Sequence, residues 1–211
     1  MNCILCHSPS AFFCEDKKRS YFRCTECDLV FASPDSYLDA NDEKTIYDFH
    51  ENDPNDERYR QFLNQLATPL LDKLSVGMEG LDFGCGPGPV LNLMMEEHGM
   101  SMSVYDIYYV PDKNKVTRQY DFVTSTEVVE HFYNPNEAWP QLVSLVKRGG
   151  WLGIMTSMFT RESPEFFKSW QYKNDPTHVS FYSPKTMHWI AEQFELNIEV
   201  LSNRVVLFER R

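Results

Sequence analysis

Short apolar runs and helically spaced apolar positions take turns along most of this chain. Residues 80–83, 101–105, 120–123 and 151–156 have the length and apolar content of buried strands. Between them the apolar positions follow a helical period. Val90, Leu91, Leu93, Met94 and Met95 make one crowded face before His98-Gly99. Ala138, Trp139, Leu142, Val143, Leu145 and Val146 make another, closed by Lys147-Arg148-Gly149-Gly150. Strands alternating with helices predict an α/β fold, a doubly wound and mostly parallel sheet over residues 59–211. Ser183-Pro184 carries the first-turn chemistry of a last helix, with Met187, Trp189, Ile190 and Phe194 as its apolar residues. Residues 196–200 and 204–208, parted by Ser202-Asn203, predict a closing hairpin.

The front of the chain is patterned differently. Residues 11–14 and 21–24 are strand-like and are joined by a charged turn at 15–19; Leu29-Val30-Phe31 follows as an apolar plug. Residues 33–58 then read as an acidic linker or lid with little periodicity: a solvated connector, or a segment whose Tyr47, Phe49 and His50 fold over a site. From Asp56 the spacing turns helical through Tyr59, Phe62, Leu63, Leu66, Leu70, Leu71 and Leu74.

Composition narrows the classes. The 211 residues allow one sizeable core and a small appendage, and 42% hydrophobic with 14% aromatic residues is a folded composition. No apolar run is long enough to span a bilayer. The N-terminus lacks the basic and apolar regions of a secretory signal, so a cytoplasmic location and no membrane partner are expected. Net charge is −11 and is concentrated in residues 33–60, which hold nine acids against three bases. No segment is basic enough to track a phosphate backbone, which argues against a nucleic-acid partner.

Four of the six cysteines form Cys3-x2-Cys6-x17-Cys24-x2-Cys27. Each pair can turn two sulfurs toward one ion, and two pairs complete a tetrahedral thiolate shell. A structural zinc ribbon over residues 1–32 is the expectation, with reduced or disulfide-bonded cysteines as the alternative. Cys14 and His7 lie inside the loop and are not needed as ligands. Some thirty residues bury little surface alone, so the metal would supply much of the folding energy.

The stretch 80–90 ends its strand in three alternate glycines, Gly84, Gly86 and Gly88, with Asp82 just ahead of them. Bare backbone at a strand-to-helix turn lets a ligand meet the N–H groups of the helix start. The spacing is not that of a pyrophosphate reader, and the neighbouring acid suits a ligand with a positive centre. Asp106 follows Gly84 by 22 residues at the end of the next strand, where an acid can bridge two ribose hydroxyls. The motif resembles the first motif of class I S-adenosylmethionine-dependent methyltransferases (E/D-x-G-x-G-x-G). The resemblance spans about residues 60–211, and with the four-cysteine ribbon it narrows to zinc-ribbon methyltransferases. It implies S-adenosylmethionine as cofactor, with Asp82 near its amino-acid end and Gly84, Cys85, Gly86 and Gly88 beneath it. Asp106 would hold its ribose and Ile107 cover its adenine.

Residues 121–132 resemble the fourth-strand motif D-x-V-x-x-x-E-V-x-E-H of small-molecule methyltransferases, which places Thr124 and Glu127 on the cofactor's reactive side. Glu127, Glu130 and His131 share a helical face, which fits a divalent-cation site, a base or substrate contact at His131, or a hydrogen-bonded turn. Asp175-Pro176-Thr177-His178 lies in a long aromatic loop where His178 can serve as a base or brace the loop. Trp170 and Tyr172 either line an aromatic pocket or pack that loop. Only 13 residues separate Asp106 from the strand at 120, so the usual third strand is reduced to a stub or the crossover is abbreviated. The expected activity is methyl transfer to a small-molecule O, N or C nucleophile. RNA methylation, known for some zinc-ribbon relatives, and a cofactor-binding module without turnover are the alternatives.

Overall fold

A computed structural model describes residues 1–49, 52–161 and 163–211. The chain opens with a hairpin, β1 (Ser10–Glu15) and β2 (Ser20–Cys24), and a short β3 (Val30–Ala32) pairs antiparallel with β2. Two helices follow, α1 (Ala40–Tyr47) and α2 (Glu57–Leu71). Each is capped by an aspartate: Asp39 accepts from the amides of Asn41 and Asp42, and Asp56 from that of Arg58. Then come β4 (Glu79–Phe83), α3 (Leu91–Glu97), β5 (Ser101–Tyr105), β6 (Tyr120–Thr126), α4 (Pro135–Ser144) and β7 (Val146–Met155). The last elements are α5 (Pro164–Ser169), β8 (Ser180–Phe181), α6 (Pro184–Gln193), β9 (Leu196–Val200) and β10 (Val205–Arg210).

The main sheet has the order β5-β4-β6-β7-β10-β9. β4, β5, β6 and β7 run parallel, and β10 returns antiparallel between β7 and β9. The predicted α/β class and the closing hairpin are both present. Among the described residues no strand lies between Asp106 and β6. A 3-10 turn at Lys113–Val116 fills the space, so the crossover is the abbreviated one and β5 is left at the sheet edge. The basic turn predicted to end a helix at 147–150 instead lies inside β7. It forms a bulge against β6, where Tyr120 pairs with Val146 but Phe122 with Trp151, and Gly149 takes φ +75°.

In the acidic stretch 33–58 the described residues include helix α1 and the start of α2, which a solvated connector would not form. Its helix α1 buries Glu43, whose carboxylate accepts from the hydroxyls of Tyr47 at 2.8 Å and Tyr108 at 2.6 Å. Phe49 is 79% exposed, and His50 lies outside the described residues.

The N-terminal ribbon does not stand apart. β3 pairs with β8, so residues 180–181 of the late loop complete the ribbon's own sheet. Cys3, Leu5, Leu29 and Phe31 belong to the same buried cluster as Trp139, Tyr182 and Met187. Polar groups in this cluster are satisfied. Trp139 donates to the Tyr182 hydroxyl at 3.1 Å, which donates to the carbonyl of Val129 at 3.0 Å. Asp28 in the ribbon accepts from the hydroxyl of Ser183, the N-cap of α6, at 2.6 Å. Sharing one core lets a short, sulfur-rich segment bury more apolar surface than it could by itself.

Candidate functional site

The parallel strands all present their carboxyl ends to one side, and a cleft of about 1310 Å³ opens there. It lies where the strand order reverses, with β5 on one side of β4 and β6 on the other, the usual place for a ligand in an open α/β sheet. Its volume exceeds the roughly 300–1,000 Å³ of a typical single-ligand pocket, which leaves room for two molecules side by side.

One end is built from the glycine turn. Gly84 and Gly86 take φ +79° and +65°, where a side chain is strained, and the amides of Gly84 and Cys85 donate to the carbonyl of Tyr105. A Cβ at Gly84 would strike Val128 at 2.4 Å, whereas one at Gly86 would meet nothing within 4 Å. Gly84, Cys85 and Gly86 line the cleft. Gly88 does not: its carbonyl accepts from the Asn52 side chain at 3.3 Å, so the third glycine faces the segment ahead of α2.

Asp106 ties this turn to the next strand. One carboxylate oxygen accepts from the amide of Gly86 at 3.0 Å, the other from those of Tyr108 at 2.8 Å and Tyr109 at 3.1 Å. The oxygen that faces Gly86 accepts only that one bond and keeps a lone pair for a further donor from the cleft. Ile107, 69% exposed, lines the same end. Asp82 is buried at 4% exposure, and Thr124 donates to it at 2.9 Å. Burial pushes Asp82 up to about 6 despite that hydrogen bond. Thr124 is itself fully buried and does not line the cleft, so it orients Asp82 instead of facing a ligand.

The other end holds the acids and imidazoles. Glu127 sits in the left-handed region at φ +53°, a strained setting for a side-chain-bearing residue, and its carboxylate accepts from Arg204 at 3.1 Å. Burial and then the neighbouring Glu130 push Glu127 up to about 8. Glu130 is fully buried; one of its oxygens accepts from the Tyr172 hydroxyl, and the other has no partner among the described residues. Burial pushes Glu130 up to about 7. His131 and His178 have ring centroids 4.8 Å apart. Nδ1 of His131 is 3.1 Å from the carbonyl of Thr177, and Nδ1 of His178 is 2.7 Å from that of Tyr172. A carbonyl can only accept, so both Nδ1 atoms carry the proton and both Nε2 atoms keep a lone pair. Burial lowers both imidazoles, His178 to about 3 with His131 as the next cause. Both rings are neutral near pH 7. Ligand atoms of Glu130, His131 and His178 lie within 4.8 Å of one another. Trp170 and Tyr172 line this end too.

Outside the cleft, Cys3, Cys6, Cys24 and Cys27 converge as their spacing predicts, with all four sulfurs within 4.8 Å of one another. Cys3 and Cys27 are 3.6 Å apart and Cys6 and Cys24 3.3 Å, far beyond a disulfide bond. Sulfurs at about 2.3 Å from a tetrahedral zinc lie roughly 3.8 Å from each other, so the group fits that ion. The hydrogen bond from Cys27 lowers the Cys3 thiol to about 5, and the Cys27 thiol rises in turn. Cys14 is not part of this group.

Sequence reading missed three contributors. Glu43 and Arg204 reach the cleft from α1 and from the turn before β10, and Tyr108 joins α1 to the loop after β5. Nothing local marks their place in the cleft, because Glu43 meets Tyr108, and Arg204 meets Glu127, across more than sixty residues.

A doubly wound sheet with one antiparallel return strand and a glycine turn at its switch point defines the class I methyltransferase fold. Residues 50–201 match the family model described as "Methyltransferase domain", and the chain belongs to that family. A ubiquinone biosynthesis O-methyltransferase of Rickettsia bellii is 28% identical over 158 residues, 61% of this chain and 65% of that protein's length. One from Bordetella avium is 29% identical over 120 residues, 44% of this chain and 50% of that protein. Among solved structures, magnesium protoporphyrin IX methyltransferase of Synechocystis, with bound S-adenosylmethionine, superposes with TM-score 0.52 at 15% identity, over 82% of this chain and 98% of that one. A Pyrococcus horikoshii protein gives TM-score 0.53 at 15% identity, over 80% and 99%. Likenesses this distant establish the fold. Among the described residues no helix is long and apolar enough to cross a membrane.

Proposed function

We propose that this protein transfers a methyl group from S-adenosylmethionine to a small-molecule acceptor. The observation that carries this reading is a cleft with room for two ligands, edged by the Gly84–Gly86 turn and the Asp106 carboxylate. The bare turn fits an adenosyl group laid against the backbone. Asp106 would accept from the ribose hydroxyls, Ile107 cover the adenine, and Asp82 face the amino-acid end. The bound cofactor supplies an already activated methyl group, so the chain's main task is to align donor and acceptor. His178 and His131 offer neutral Nε2 atoms that can take a proton from the acceptor's nucleophile. The O-methyltransferase names of the relatives favour a hydroxyl acceptor.

RNA fits the cleft poorly. Among its described lining residues Arg204 is the one lysine or arginine, against Glu43, Asp82, Asp106, Glu127, Glu137 and Asp175. We also assign residues 1–32 as a zinc ribbon, residues 33–58 as a lid and residues 59–211 as the methyltransferase unit, with Cys3, Cys6, Cys24 and Cys27 holding zinc. A second reading of the acceptor end is a divalent cation at Glu130, His131 and His178. It is favoured by the unpartnered Glu130 oxygen and by both histidines donating Nδ1–H to carbonyls, as ligating imidazoles do. Transfer that stops on chelation and returns with magnesium or manganese selects the cation; transfer indifferent to chelator selects the free base.

Labelled cofactor incubated with metabolite extracts, followed by mass spectrometry of the product, identifies the acceptor. With that acceptor, His178→Asn lowers kcat by about a hundredfold while cofactor affinity holds. Full activity in this variant removes His178 from the chemistry. Cofactor binding also depends on pH. A cationic ligand favours ionised Asp82, whose proton leaves near pH 6 in the free protein. Affinity is therefore full above about pH 7 and falls as pH drops through about 6, by up to tenfold per unit. Calorimetric Kd values across that range check it, and Asp82→Asn flattens the profile.

A further inference from the structure

We infer that Arg19, at the tip of the N-terminal hairpin, is a positioning residue for the two imidazoles of the cleft. The residue is 9% exposed, and its side chain reaches across more than 150 positions of sequence to a single loop. Its guanidinium donates to the carbonyls of Lys173, Asp175 at 3.1 Å, Pro176 at 3.3 Å and His178 at 2.7 Å. Four carbonyls turned onto one cation fix the path of the chain from 173 to 178, because a guanidinium presents its donors in a rigid plane. Lys173, 3% exposed, adds an ion pair to Asp16 at 2.7 Å, and Asp16 accepts from the Arg19 amide at 2.9 Å. Beyond His178, the amide of Ala32 takes the carbonyl of Val179, and β3 pairs with residues 180–181. The ribbon thus grips the loop on both sides of His178.

What the clamp controls is chemical. The loop supplies the carbonyl of Tyr172 to Nδ1 of His178 and that of Thr177 to Nδ1 of His131. Thr177 lies between two residues whose carbonyls Arg19 holds. Arg19 touches neither imidazole ring in these bonds, but it keeps in place the acceptors that set the tautomer of each. The ribbon is then a working part of the acceptor side of the site. This inference rests on the proposed use of those imidazoles in methyl transfer, yet its test does not require an acceptor.

Long-range nitrogen–proton NMR spectra of the imidazoles read the tautomer directly. In the native protein and in Arg148→Met, an exposed control, His131 and His178 each show the Nδ1–H form. In Arg19→Met, which keeps the apolar stem and loses every donor, both rings populate the Nε2–H form to about one tenth or more. Arg19→Lys, with fewer and unforked donors, gives a smaller change. The Kd for S-adenosylhomocysteine stays within about twofold in all of them, since the turn at 84–88 does not enter this equilibrium. Unchanged tautomers in a folded Arg19→Met or Arg19→Lys protein overturn the inference, as does a loss of S-adenosylhomocysteine binding in step with the tautomer change, which would mark general unfolding. A fully active His178→Asn would sink the proposed chemistry and leave the tautomer result standing.

Discussion

Asp106→Ala weakens binding of S-adenosylmethionine by about 1–3 kcal/mol, roughly five- to 150-fold in Kd. Two losses add in this variant. In the proposed site the carboxylate would accept from the ribose, and charge-assisted bonds of that kind are among the stronger ones a protein makes. The same carboxylate also accepts from the amides of Gly86, Tyr108 and Tyr109, so its removal leaves three backbone donors open and loosens the turn under the adenosyl group. Asp106→Asn separates the two. Asparagine keeps the size but offers one acceptor oxygen, while its NH₂ opposes an amide donor on the other side. It should fall between the native protein and Asp106→Ala. Calorimetric titration decides the matter, and an unchanged Kd in both variants means that the sugar lies elsewhere.

Cys24→Ser acts on the other end of the molecule and on more than the ribbon. Metal analysis of the native protein should find about one zinc per chain; the variant should hold less. Because Cys24, Leu29 and Phe31 share a buried cluster with Trp139, Tyr182 and Met187, a loosened ribbon opens the core beneath α4 and α6. A cost of about 3 kcal/mol is expected for losing a structural metal. At about 2–4 °C per kcal/mol for a chain of this size, Tm falls by roughly 10 °C. Thermal unfolding with and without a zinc chelator tests this. A native protein without zinc, or a variant as stable as the native one, would mean that no metal holds the ribbon.

Features set by neighbours in sequence are legible in the chain alone. The glycine turn needs left-handed backbone at Gly84 and Gly86, and that demand is written locally. The two C-x2-C pairs foretell the convergence of their four sulfurs. The shortened crossover is legible as well, because 13 residues leave little room for a helix and a strand, but whether a stub strand remains there is not. Contacts closed by the fold are not. Gly88 completes the motif in letters yet meets Asn52 instead of the cleft. Thr124 sits on the expected strand but is buried against Asp82. The basic run at 147–150 has the residues of a helix end and is a bulge inside β7. Glu43 is one more acid of a charged stretch until Tyr47 and Tyr108 close on it. Arg19 is one charge of a hairpin turn, and nothing near it in sequence foretells four carbonyls of a distant loop.

A crystal grown with S-adenosylhomocysteine tests the central claim most directly. The expected result is the adenosyl group against the main chain of residues 84–86, its ribose hydroxyls on the Asp106 carboxylate, and its sulfur turned toward the end of the cleft that holds His131 and His178. A nucleoside bound away from that turn, or a turn closed by its own side chains in the presence of saturating ligand, would contradict it.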